Sequence, residues 1–164
     1  MRLSFALYST VVIVVLTACA PEQPLVNQYN TVVPPLPTLD SSQIARGKQI
    51  YQQHCASCHG ANAEGAANWK TPDENLNYPP PPHNDDGHTW HHPDRVLYEA
   101  IRDGIRDPLR PNQPMRMQPF GDKLSDAEIR AVIAYFKSLW TSEHRKFQYL
   151  RTTEDAIEHP TPAP

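Results

Sequence analysis

The strongest hydrophobic pattern in the chain runs from residue 129 to residue 140. Ile129, Val132, Ile133, Phe136, Leu139 and Trp140 recur at spacings of three and four and draw one apolar stripe along a helix. Ser125-Asp126-Ala127-Glu128 stands ahead of it in the form of a capping box, so the helix is predicted to start there. A second stripe, Val96, Leu97, Ala100 and Ile101, follows His92-Pro93-Asp94 and stops at Gly104, with proline near the first turn and glycine just past the end. A third joins Ile44, Gly47, Tyr51 and His54-Cys55 behind the N-cap oxygens of Asp40-Ser41-Ser42. Gly47 is odd there, because a glycine inside a helix costs about 1 kcal/mol against alanine. A glycine on a buried stripe usually lets another backbone come close. A weaker helical signal runs from Thr141-Ser142 to about Leu150, with Phe147 and Leu150 expected to face inward.

No alternating pattern is strong enough to predict a strand, and no repeat is visible. The expectation is an all-α domain over residues 40–140, with a C-terminal extension over 141–164 that holds a short helix and a disordered tail. Residues 60–92 and 105–124 are loops. The first is rich in Asn, Pro, Asp and His and is long for a compact domain unless something else, such as a bound cofactor, organises it. Residues 20–39 carry five prolines and no period, which reads as an extended tether. Twenty such residues reach between about 25 Å as a coil and about 60 Å as polyproline II.

Composition narrows the field. Eighteen prolines and only six glycines in 164 residues leave no room for one long uninterrupted core, and a net charge of −3 does not suggest a nucleic-acid partner. The N-terminus reads as a targeting segment. Arg2 precedes a mostly apolar run, residues 3–18, that is short for a bilayer span. The run ends in Leu16-Thr17-Ala18-Cys19, which resembles a bacterial lipobox. That resemblance implies a signal peptide over 1–18, lipidation of Cys19, and a Pro-rich tether over 19–39. The domain would then be lipid-anchored in the bacterial cell envelope, facing the periplasm or exterior. Several acyl chains on one residue give stable anchoring, since each buried methylene adds about 0.8 kcal/mol.

With Cys19 so used, Cys55 and Cys58 remain, in His54-Cys55-Ala56-Ser57-Cys58-His59-Gly60. Three chemistries use such a motif. Structural zinc wants four ligands, and His83, His88, His91 and His92 would have to complete the set. A redox dithiol of the thioredoxin type wants a preceding strand, where here a helical stripe runs straight into the motif. Covalent haem attachment uses two thiols three apart, which add to the two vinyl groups, and a following histidine that supplies an imidazole nitrogen to iron. Export, the absence of further cysteines and the long unpatterned loop favour haem. A sixth ligand would come from Met115 or Met117, or from a histidine of the His88-Thr89-Trp90-His91-His92 cluster.

Residues 41–140 resemble the class I c-type cytochromes. The resemblance rests on Gly47, Tyr51 and Cys55-Ala56-Ser57-Cys58-His59-Gly60, on Met117-Gln118-Pro119-Phe120-Gly121, and on the helix from Leu124 to Trp140. It implies a class I cytochrome c fold of three to five helices around one covalently bound haem c. The first and last helices would cross, with Gly47 and Tyr51 against Tyr135, Phe136 or Trp140. Cys55 and Cys58 would carry the haem, and His59 and Met117 would ligate iron, Met115 being the alternative. One proline carbonyl among Pro79 to Pro82 would accept the imidazole N–H of His59. Trp69, Trp90 and His88 are candidates for propionate contacts or for covering the ring. Proline one place later than the family's Met-Pro-x-Phe order departs from its pattern.

The function implied is single-electron transfer between redox protein partners, without a substrate of its own, rather than an enzyme. The partners would be membrane complexes: a quinol-oxidising complex, a terminal oxidase or a dehydrogenase. Two other readings are a haem-based ligand-binding or sensor protein and a His/Met metal-binding assembly factor. Asp85, Asp86, Asp103 and Asp107 are either a face for a basic partner or solvated loop charges.

Overall fold

The computed structural model describes residues 23–112 and 115–160. Cys19, expected to be lipidated, the expected signal peptide 1–18 and the last four residues lie outside the described residues. The elements in order are a hairpin of β1 (Leu25–Val26) and β2 (Val32–Val33), α1 (Ser41–His54), α2 (Ala56–His59), a 3-10 turn (Thr89–His91), α3 (Asp94–Asp103), α4 (Asp126–Ser138) and α5 (Ser142–Glu158). This is the helical architecture the sequence predicts, apart from the small hairpin.

The centre of the fold is the crossing of α1 and α4. Asp40 caps α1 by accepting the Gln43 N–H at 2.7 Å. In α4 both halves of the capping box form, Ser125 with the Glu128 N–H and Glu128 with the Ser125 N–H. Gly47 meets Ala131 at the crossing, where a Cβ on the glycine would overlap the Ala131 carbonyl. Next to it the Tyr51 ring lies 5.3 Å from Tyr135 and edge-on to Phe136 at 5.9 Å. Ile50, Tyr51, Ile129, Val132 and Phe136 are all buried here, and Leu97 and Ile101 of α3 complete the core. Trp140 does not join that aromatic contact but donates its Nε1–H to the His83 carbonyl at 2.9 Å. That bond pins the 60–92 loop to the end of α4.

The same loop also organises itself. Ala66 N–H donates to Pro80 O at 2.9 Å and His83 N–H to Ala63 O at 2.8 Å, so its two ends run side by side. Gly65, at φ +68°, sits where a Cβ would strike Pro81 and Pro82.

Two expectations change. The C-terminal helix is not short: it runs to Glu158 and presents a polar face inward. Gln148 and Glu154 are buried, while Phe147 is 43% exposed. The reason is that α5 packs on the N-terminus of α3, whose orphan donors need polar partners. Thr152 Oγ1 accepts the Asp94 N–H at 3.1 Å, Gln148 Nε2 donates to Asp94 Oδ1 at 2.7 Å, and Arg95 grips Asp155 through two bonds of 2.7 and 3.0 Å. Second, residues 25–33 are not an extended tether. They form the hairpin, tied to α5 by Gln28 N–H donating to Glu154 at 2.9 Å and by the Tyr29 hydroxyl on Glu158. Of the acidic residues read as a partner face or as solvated loop charges, Asp86 is exposed and bonds to Asn84, and the other three are paired. Asp85 accepts Thr141 N–H and His144 Nδ1–H at 2.9 and 2.6 Å, Asp103 pairs with Arg102, and Asp107 holds Arg110 and Arg116.

Candidate functional site

Helix α1 stops at His54, and Cys55 turns the chain into α2. Cys58 and His59 N–H groups both donate back to the Cys55 carbonyl, at 3.1 and 3.0 Å. One tight turn therefore carries both thiols and the imidazole. Cys55 is buried, Cys58 is exposed, and both are free thiols. The Tyr51 hydroxyl donates to Gly60 O at 2.7 Å and locks the end of the turn to the α1–α4 core.

His59 is buried, and its Nδ1–H donates to the Pro81 carbonyl at 2.9 Å. Of the four prolines in the run, Pro81 is the one that holds it. With Nδ1 committed, Nε2 is the nitrogen left to bind a metal, the arrangement that orients and strengthens a histidine ligand. Burial lowers the His59 pKa against the opposing Pro81 hydrogen bond, which keeps the ring neutral and able to coordinate. Burial, with a smaller contribution from Cys58, pushes the Cys55 thiol up to about 11. A redox nucleophile needs the opposite shift.

The loop between α3 and α4 brings in the methionines. Ile105 and Met117 form an isolated antiparallel bridge, with Ile105 N–H to Met117 O at 2.9 Å. The Met117 side chain packs against the core cluster that contains Cys55 and Tyr51, together with Phe120. Met115 differs. Its terminal methyl lies against Gly104, where an added Cβ would come within 2.6 Å of it. The structure therefore gives the two methionines different surroundings, and of the two Met117 is the one packed against the core cluster.

The histidines do not converge. Among the described residues no three His, Cys, Asp or Glu side chains are gathered to hold a metal ion. His88 stacks on Trp69 at 5.5 Å, and His91 lies between Trp90 and Phe147. His83 is the exception that sequence reasoning misses. The sequence groups it with the other loop histidines, yet its ring lies 4.2 Å from that of His59. Its position two residues after Pro81 is the available signal. Trp90 is the other distinctive group. It stacks on His144 at 3.6 Å, and its Nε1–H is buried without an acceptor among the described residues.

These residues fit a covalently held haem. Two free thiols share one turn, and a neutral imidazole committed at Nδ1 keeps Nε2 available. Cys55, Cys58 and His59 would hold the group.

Comparison with known proteins agrees. The family model for Cytochrome c matches residues 44–140. The chain is 29% identical over 104 residues to the Cbb3-type cytochrome c oxidase subunit FixP of Sinorhizobium medicae, covering 63% of this chain and 32% of that protein. It is 34% identical over 103 residues to the FixP subunit of Azorhizobium caulinodans, covering 63% of this chain and 31% of that protein. The match thus spans about a third of the length of these relatives. Among solved structures, cytochrome CL from Methylophaga aminisulfidivorans MPT is similar at 24% identity and a TM-score of 0.48, over 85% of this chain and 74% of that one.

Proposed function

This chain belongs to the cytochrome c family, and we propose that it is a membrane-tethered single-electron carrier with His59 and Met117 as its axial iron ligands. Haem c supplies one-electron exchange between Fe(III) and Fe(II). The chain's residues do the holding. Cys55 and Cys58 would hold the haem through thioethers, each S–H adding across a vinyl group with no net oxidation. His59 Nε2 provides a fixed neutral donor, and Met117 supplies a thioether sulfur, a ligand pair that raises the potential of such centres. The observation that carries this reading is the His59 hydrogen bond to Pro81, which leaves one nitrogen free and aims the ring. The packing of Met117 against the hydrophobic core cluster supports its choice over Met115.

Cys58 is exposed, so the attachment turn reaches the surface where a redox partner would meet the domain. The likeness to FixP, an oxidase subunit, supports a terminal oxidase as one such partner. Lipidation at Cys19 would hold the domain at the envelope membrane. Because the hairpin from Leu25 is tied to α5, only six residue steps separate Cys19 from the folded domain, a reach of at most about 20 Å. The domain would ride closer to the lipid than an extended tether allows. Spectra of the purified holoprotein test the carrier. A low-spin spectrum, unchanged by carbon monoxide in the ferrous state, and a one-electron titration are expected. Ready carbon monoxide binding would favour a ligand-binding or sensor protein instead.

A further inference from the structure

The His59 ring is held on two sides. On one, its Nδ1–H meets the Pro81 carbonyl at 2.9 Å. On the other, the His83 ring lies against it, centroid to centroid at 4.2 Å and tilted by 33°. His83 in turn stacks on Phe136 of α4 at 4.3 Å and 23°. His59, His83 and Phe136 therefore form a three-ring stack that runs from the candidate ligand to the central helix.

The middle ring is fixed by its own hydrogen bonds. Thr89 Oγ1 donates to the Pro82 carbonyl at 3.2 Å, so its lone pairs face His83 and accept the Nδ1–H at 2.9 Å. The relay runs His83 Nδ1–H to Thr89 to Pro82 O and defines one neutral tautomer. The His83 backbone is clamped as well, its N–H donating to Ala63 O and its carbonyl accepting the Trp140 Nε1–H. A leucine would fill similar space. An imidazole with a dedicated hydroxyl partner, clamped main-chain groups and two ring neighbours is more than filler.

We propose that His83 is a positioning residue that sets the rotation of the His59 imidazole about its bond to iron. The proposal rests on the reading of His59 as the iron ligand. The physical basis is that the Nδ1–H bond to Pro81 fixes the tautomer and aims the ring from one edge. A flat neighbour pressed against its face narrows the rocking about the Nε2–iron axis that this one bond still permits, and sets the plane at which the ring rests. The plane of an axial imidazole governs how unpaired spin is spread over the four pyrroles of a ferric haem. Ligand orientation is thus read directly by the spread of the haem-methyl proton shifts and by the anisotropy of the ferric electron-spin resonance signal.

The test compares the matured full-length holoprotein with H83A, H83L, H83F and T89V. H83A and H83L are expected to change the order or spread of the four haem-methyl shifts and the g-anisotropy. H83F keeps a flat ring between His59 and Phe136 and is expected to return both to near the wild-type pattern. T89V, which removes the hydroxyl partner, is expected to fall between. A purely structural role predicts lowered melting temperatures with unchanged spectra in every variant, and that result would overturn the proposal. If H83A fails to mature, H83L against H83F decides the matter by the same criterion. His59→Gly with added imidazole tests the ligand reading separately. Iron coordination unaffected by His59→Gly would overturn that reading and the proposal with it, whereas altered H59G with silent H83 variants overturns the proposal alone.

Discussion

Replacing Gly47 by alanine sets two effects of opposite sign against each other. By helix propensity alone the change should stabilise α1 by about 1 kcal/mol. The structure predicts the reverse. An added Cβ would overlap the Ala131 carbonyl, with the carbonyl carbon at 2.5 Å and the Tyr135 Cβ at 3.0 Å. None of these atoms is the far end of a flexible side chain. Ordinary packing needs a separation of about 3.5 Å or more, and the Ala131 oxygen would stand at 1.9 Å, so the helices must part by roughly 1.5 Å. Parting them pulls Tyr51 away from Tyr135 and Phe136, at the most buried part of the core. Overpacking of this kind costs about 1–3 kcal/mol, occasionally more. A backbone obstruction belongs at the upper end, so after the propensity gain a net loss of about 1–2 kcal/mol is expected. For a domain of this size that is a drop of several degrees in melting temperature, about 2–8 °C per kcal/mol. The assay is guanidinium denaturation of the matured holoprotein, followed by far-ultraviolet circular dichroism. Lys48→Ala, one residue along on the exposed side of α1, serves as the control and should stay within about 0.5 kcal/mol. A Gly47→Ala protein as stable as wild type, or more so, would refute the reasoning.

Other consequences are equally open to measurement. Ser125→Ala removes the N-cap acceptor for the Glu128 N–H and should cost about 1 kcal/mol in the same denaturation assay. Glu154→Ala removes the acceptor for the Gln28 N–H, so hydrogen exchange at Gln28 and proteolysis between residues 23 and 40 should speed up while the haem spectrum stays unchanged. His83 and His92 have pKa values lowered by burial first and neighbouring histidines second, so they stay neutral in the fold when the unfolded chain takes up protons. Their contribution is full above about pH 6.5 and is lost as the pH falls below it, at up to about 1.4 kcal/mol per pH unit for each group that stays neutral. Asp107 and Asp155 are held low, chiefly by their hydrogen bonds to Arg110 and Arg95, and their contribution is lost only as the pH falls below about 4. Melting temperature against pH should therefore decline in two stages, and His83→Phe should weaken the first.

Much of the fold is legible in the sequence because its signals are local. The α4 stripe, its capping box, the Pro93-to-Gly104 helix and the Cys55-to-His59 turn need only neighbours in sequence, and all stand in place. Gly47 is legible as an anomaly, and its partner Ala131 emerges only from the crossing. What stays hidden depends on interactions between distant segments. The polar face of α5 reads as a solvated surface, since nothing local shows that Gln148 and Thr152 serve the open end of α3 from more than fifty residues away. The hairpin is hidden because two-residue strands carry no period and draw support from Glu154 and Glu158, late in the chain. His83 is hidden in a crowd of histidines, and only folding of the proline run places it beside His59.

The most direct test of the account is the ferric far-red sulfur-to-iron band and ferrous carbon monoxide binding in wild type, Met115→Leu and Met117→Leu holoprotein. Wild type and Met115→Leu should show the band and stay closed to carbon monoxide. In Met117→Leu the band should be lost and carbon monoxide should bind readily. Loss of the band in Met115→Leu, or its survival in Met117→Leu, would contradict the assignment. Ready carbon monoxide binding by wild type would contradict the carrier itself.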